Sequence, residues 1–295
     1  MPPIVATYSL VAAIVYTLGV LCLKRATEWN PGPWRVTFLC NVATTLLFLP
    51  LWLLPGPDID WSRWWEPAAV ALLFVAGQIL VVVALSRGDV SIATPLLGLK
   101  ILLVTGLCLI AADKSDSQET WKLVSAATTA TLAVGLLGTT GSGGKRRRLV
   151  ETVITSFGAA ACYAVFDVGL QILGPDWGTT RLMPAVMTWS GILSCSFIPF
   201  FEKPLSALPH KSLPWVATGA FLMAAQAIFL TCTITTYGFA AQANVVYSTR
   251  GLWTVLLIWS FGHVFSKQEN AQDAGTLFRR LIGAALLSFA VLLVL

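Results

Sequence analysis

Apolar residues run along this chain in blocks of about twenty, each long enough to cross a bilayer as a helix, and short polar stretches separate them. The blocks predict ten spans: 4–23, 34–54, 67–85, 91–112, 120–138, 152–173, 182–201, 213–235, 240–262 and 277–295. Their length argues for helices, because barrel strands would alternate over about ten residues. The first block has no basic residues before it and is followed by Lys24 and Arg25, the mark of a span that stays rather than a cleaved leader. Between the fifth and sixth blocks lies GSGGKRRR at 141–148, a run of glycine and charge. It divides the chain into a first five-helix repeat (1–140), a basic junction (141–150) and a second five-helix repeat (151–295). Five spans per half put the halves in opposite orientations, the inverted-repeat plan of many secondary transporters, whose site lies at the midplane.

Polar residues inside the blocks carry the chemistry. Arg250 sits near the middle of an apolar stretch, where a cation costs about 2.5–3.5 kcal/mol on insertion scales and so faces protein or water. At 100° per residue, Asn244, Tyr247, Arg250, Gly251 and Thr254 share one broad face. Shifting the second half back by 150 positions lays Gly238 on Gly88, Ala243 on Ala93, Leu252 on Leu102 and Leu257 on Leu107. The same shift lays Arg250 on Lys100, the other cation deep in an apolar block. The two read as one position in two copies of a repeat. The sixth block carries Asp167, with Tyr163 and Gln171 one turn to either side, and small Ala159 and Ala160 where a neighbour can approach. Asp167 is either a proton-coupling carboxylate or the ion-pair partner of Lys100 or Arg250. Asn41 and Gln226 are amides placed to meet either another helix or a substrate. Pro95, beside Thr94, marks a kink ahead of Lys100.

Composition agrees with this division: 56% of residues are hydrophobic and 11% charged, against about 25% charged in soluble domains. The chain is expected to be an all-α integral membrane protein, multi-pass, in a cell inner or plasma membrane. One set of alternate loops holds most of the Lys and Arg; the other holds only Arg63, Lys114, Lys122 and Arg181. The positive-inside rule then places both termini outside. The basic excess reports topology and anionic lipid rather than nucleic acid. Trp residues cluster at block ends, as in an interfacial belt. Six scattered cysteines show no CxxC pair, and His210 and His263 have no second ligand nearby, so neither a metal site nor a cofactor is expected. No phosphate-binding P-loop, HExxH or GxSxG motif appears, and an enzyme is not expected.

The pattern resembles the drug/metabolite transporter superfamily in its ten-helix EamA-like branch. The likeness rests on ten short spans in two halves and on residues 84–96 (ALSRGDVSIATPL), with 236–248 (TYGFAAQANVVYS) as counterpart. It implies a central cavity, alternating access by rocking helix bundles, and basic residues on spans 4 and 9 that meet anionic substrate groups. Lys100 and Arg250 fall on those spans. The GALNK signature of nucleotide-sugar carriers is absent, and span 1 lacks the glutamate of the small multidrug relatives. Cytoplasmic termini are usual in this branch, opposite to the charge distribution here.

The expected function is a secondary active transporter of a small anionic or zwitterionic metabolite. Lys100, Arg250, Tyr247, Asn244, Asn41, Gln226 and Tyr163 are the candidate substrate residues, and Asp167 the coupling or ion-pair residue. Two alternatives stand beside it: a flippase of a lipid-linked anionic headgroup, and a structural membrane subunit in which the charges neutralise one another. A monomer suffices for a site between two halves, and a dimer is compatible.

Overall fold

The computed structural model describes residues 1–87, 96–111, 117–138 and 146–254, with position 93 and a few positions between 256 and 293. Most of the expected tenth span, Gly88, Thr94, Pro95, Lys114, residues 141–145, His263, Lys267, Arg279 and Arg280 lie outside the described residues.

Every described element is helical. The chain runs through α1 (Pro3–Ala26), α2 (Pro33–Phe48), α3 (Trp65–Arg87), α4 (Lys100–Ala111), α5 (Ser117–Gly138), α6 (Arg146–Trp177), α7 (Thr179–Ser194), α8 (Leu213–Tyr237) and α9 (Ala240–Tyr247). Six stretches, built on α1, α2, α3, α6, α7 and α8, are long and apolar enough to cross a membrane; Leu96–Ala111 is a shorter apolar helix. The chain is therefore an all-α, multi-pass membrane protein. Large apolar side chains such as Leu46, Leu132, Ile154 and Ile172 point outward, as a lipid-facing surface requires.

Local sequence sets the helix limits. Proline opens α1, α2 and α8, where its missing N–H costs nothing and its fixed φ suits the first turn. One residue, Gly178, joins α6 to α7. Its φ of +67° is a conformation open to glycine, and a Cβ there would lie 2.9 Å from Pro57 Cδ. Within α8, residues Ile228–Cys232 form a π-helical turn.

Lipid tails are as apolar as leucine, so helices in a bilayer associate through close packing of small residues. That is how this bundle is built. Gly19 of α1 and Gly219 of α8 face one another, and a Cβ on Gly219 would lie 2.6 Å from Leu23 Cδ2. Gly77 of α3 lies against the Tyr163 ring of α6, and Gly174 of α6 against the Thr235 carbonyl of α8. Ala12, Ala13, Ala71, Ala159, Ala160 and Ala164 are fully buried. The main pairings are α1 with α8, α3 with α6, α2 with α7 and α8, α3 with α7, α4 with α6 and α9, α6 with α8, and α1 with α9.

One end of the bundle is tied by polar and aromatic contacts. Arg63 reaches Glu66 at 2.8 Å and Asp176 at 2.9 Å, and Trp177 Nε1 donates to Glu66. The rings of Trp52, Trp61 and Trp177 surround Trp64. Trp61 and Trp65 are exposed, in keeping with the interfacial belt read from the sequence.

Candidate functional site

Lys100 and Arg250 stand at matching breaks in their helices. On the α4 side, residues 96–98 are helical, Leu99 is a turn, and the helix resumes at Lys100. Leu99 N donates to Leu96 O at 3.1 Å and Leu103 N to Leu99 O at 3.0 Å. After α9, Ser248 and Thr249 form a turn and the helix resumes at Arg250. Thr249 N donates to Val246 O at 3.1 Å and Trp253 N to Thr249 O at 3.1 Å. These four bonds match pair by pair when 150 is subtracted.

Lys100 is neutralised inside the protein. Its Nζ lies 2.7 Å from Asp167 Oδ2. The same oxygen accepts from Asn244 Nδ2 at 2.6 Å, and Asn244 also donates to the Ala240 carbonyl at 2.9 Å. Asp167 is 1% exposed, so its charge needs both partners: a carboxylate taken from water costs several kcal/mol unless paired and hydrogen-bonded. Lys100 keeps some exposure, and its ammonium lies 5.7 Å from the centre of the Tyr163 ring. In the stripe Tyr163, Asp167, Gln171, the Asp167 carboxylate meets α4 and α9, while the Tyr163 ring lies between Lys100 and Gly77 and Phe74 of α3. Gln171 completes it by accepting from Ala240 N at 2.8 Å, one of the donors that the first turn of a helix leaves unpaired.

Arg250 is held differently. Its guanidinium carbon lies 4.8 Å from the centre of the Tyr16 ring and 4.8 Å from that of Tyr247. The two rings meet edge to face at 5.7 Å. Tyr247 is fixed in turn by donating its hydroxyl to Gln226 Oε1 at 3.0 Å. Thr17 donates to the Arg250 carbonyl at 3.3 Å, tying the broken segment to α1. Among the described residues, no carboxylate lies within ion-pair distance of Arg250. Ring faces stabilise a desolvated cation by about 2 kcal/mol, and the Tyr247 hydroxyl also accepts from the guanidinium, yet neutral phenols do not supply the charged, bidentate acceptor that a carboxylate or phosphate does. Tyr16, Lys100, Tyr163, Gln226 and Arg250 all keep partial exposure.

Seven of the eight residues singled out from sequence therefore fall into two clusters: Lys100, Asp167, Asn244 and Tyr163, and Arg250, Tyr247 and Gln226, the second built with Tyr16 and linked to the first through α9. Asn41 belongs elsewhere. It exchanges two 2.7 Å bonds with the Gln78 amide and donates to Ser194 Oγ at 2.6 Å, joining α2, α3 and α7. Tyr16 escapes a reading of the sequence. The signal available for it was a buried-face register with Ser9 and Thr17, which nothing in span 1 marks as chemical.

No protein-family model matches the chain, and no curated protein matches it. The chain is similar to a solved crystal structure of a protein with 15% sequence identity, at a TM-score of 0.77 over 98% of this chain and 97% of that one. At that identity the likeness is one of fold, and it extends over essentially the whole of both chains.

Proposed function

We propose that this protein is a secondary transporter of a small anionic or zwitterionic metabolite, built on two inverted five-helix repeats as in the EamA-like drug/metabolite transporters. The observation that carries the reading is Arg250: a partly buried residue whose guanidinium is held between two phenol rings, with no carboxylate partner among the described residues. An isolated intramembrane cation is expensive to keep, and an anionic substrate group supplies what the protein withholds.

The repeat is supported by two independent patterns. Exchanging each helix with the one five places on turns the α1–α8 pairing into α6–α3, α2–α8 into α7–α3, and α1–α9 into α6–α4; the α2–α7 and α4–α9 pairings map onto themselves, while the α6–α8 pairing has no α1–α3 counterpart of similar extent. The backbone bonds around Lys100 and Arg250 repeat in the same register. Helices interrupted at the site, near the centre of the membrane, are how inverted-repeat transporters present groups to a ligand. In this scheme Arg250 anchors the anion. Tyr16 and Tyr247 orient the guanidinium, and Lys100 stands opposite, held by Asp167. Release to the other side follows from rocking one repeat against the other.

Thermal unfolding of the purified protein with carboxylated, phosphorylated, zwitterionic and cationic metabolites tests this. A ligand that binds the native state alone raises the melting temperature by mass action. Anions are expected to stabilise the wild type and to have no effect on Arg250→Ala. Equal stabilisation of both proteins would overturn the proposal.

A further inference from the structure

The charges around the site do not cancel, and the imbalance has a definite value. Resting on the transport reading above, we infer that the site accepts one net negative charge per ligand: it selects singly charged head groups, such as a carboxylate or sulfonate, and admits a doubly charged phosphate or phosphonate only together with one proton.

Among the described residues, the charged groups that face the site are Lys100 from α4, Asp167 from α6 and Arg250 from the segment after α9. The neighbours Tyr16, Tyr163, Tyr247, Gln226 and Asn244 are neutral hydroxyls and amides, and Cys108 lies beside Gln171 on the same side. Lys100 and Asp167 compensate one another at 2.7 Å, which leaves one positive charge, that of Arg250. A monoanion brings the site to neutrality. A dianion leaves one surplus negative charge beside a carboxylate that is itself 1% exposed. It can free Lys100 only by leaving the Asp167 carboxylate without its cation. Either outcome strands one unit charge, and at contact distance, with an effective dielectric of about 20, that is worth several times thermal energy. The surplus is removed by one proton from solvent, taken up either on Asp167, which then needs no cation and releases Lys100 to the ligand, or on a ligand oxygen. Asp167 thereby acts through Lys100 as a positioning residue that sets how much charge the site can hold.

The test uses two ligands of nearly equal shape, benzenesulfonate and phenylphosphonate, at mildly alkaline pH, where the first carries one negative charge and the second two. Isothermal titration of the full-length protein is run in two buffers of different ionisation enthalpy. For the wild type, the sulfonate is expected to bind at least about tenfold more tightly with no proton uptake, and the phosphonate to take up one proton. Asp167→Asn, which keeps the shape and the acceptor oxygen, raises the net charge to two. It should reverse the preference and abolish proton uptake. The double variant Lys100→Gln/Asp167→Asn lacks both pair members but has the wild-type net charge, and it should prefer the sulfonate again. The proton count of the wild type needs no variant to fold.

Phosphonate binding to the wild type without proton uptake, or a double variant that keeps the preference of Asp167→Asn, overturns the inference while leaving anion transport standing. If neither ligand binds, or if binding survives in Arg250→Gln, the anion site itself is wrong and both proposals fall. A merely structural ion pair would weaken both ligands equally and leave their ratio unmoved.

Discussion

Replacing Lys100 with methionine should cost about 3 kcal/mol of stability, and the structure says how that figure arises. The substitution keeps length and apolar volume but removes the ammonium 2.7 Å from Asp167. Removing one partner of a buried pair costs about 3–5 kcal/mol, because the other charge is left in a poor solvent. Two features bring the value to the lower end. Asn244 still donates to the same carboxylate oxygen at 2.6 Å, and hydrogen bonds to charged groups are worth about 1.5–3 kcal/mol. The lysine side chain is also 17% exposed, so water already screens part of the pair. The matched double substitution Lys100→Met/Asp167→Leu removes both charges and should recover most of the loss, since an apolar pair of similar volume is often neutral or better. Denaturant unfolding in mixed micelles, followed by tryptophan fluorescence, measures the four corners of the cycle. A coupling of about 2 kcal/mol is expected. If the double variant is destabilised by the sum of the two single losses, the ion pair does no compensating and the charge argument for the site fails with it.

Two further outcomes test how the bundle is packed. Gly174→Ala would place a Cβ 2.3 Å from the Thr235 carbonyl oxygen, a backbone atom that cannot swing aside, and should destabilise by about 1–3 kcal/mol; Gly106→Ala, with nothing within 4 Å of the new atom, should be neutral or stabilising by up to about 1 kcal/mol, and thermal unfolding of the two side by side decides the point. Gln78→Leu strands the Asn41 carbonyl, which is 2% exposed, and should cost about 1–3 kcal/mol without changing anion affinity by titration, because that amide pair joins α2 to α3 rather than facing Arg250.

How much of this was legible in the chain depends on the range of the interaction. Helical class and the edges of the six long spans follow from local hydropathy, and the described helices meet those edges within a few residues. The stripe on α6 was also legible, because Tyr163, Asp167 and Gln171 recur every fourth residue. Which cation Asp167 meets was not, since Lys100 and Arg250 occupy equivalent positions and only the crossing of α4 over α6 separates them. The partner of Arg250 was least visible of all. Tyr16 lies 234 positions away, in a helix whose other polar residues are uncharged hydroxyls apart from Lys24 and Arg25 at its end, and ring contacts leave no periodic trace. Gln226 and Asn41 looked alike as amides in spans; the first meets a tyrosine beside Arg250, the second meets another amide. Tertiary packing alone distinguishes them. Nor does anything in residues 228–232 announce a widened turn, for they contain neither proline nor glycine.

That widened turn makes α8 a shaft with a built-in offset. A π turn holds one residue more than the α-helical turns around it. In an unbroken helix Gly219 and Thr235 would point about 160° apart at 100° per residue, and one surplus residue closes the angle to about 60°. The same side of α8 can therefore meet α1 at Gly219 and α6 at Thr235, two helices from different halves of the chain. Expelling the surplus residue, or passing it along the helix, would turn one end of the shaft against the other by a single residue's angle with no backbone unwinding at either end. Gln226, two positions before the turn, accepts from Tyr247 on the α1 side of that offset.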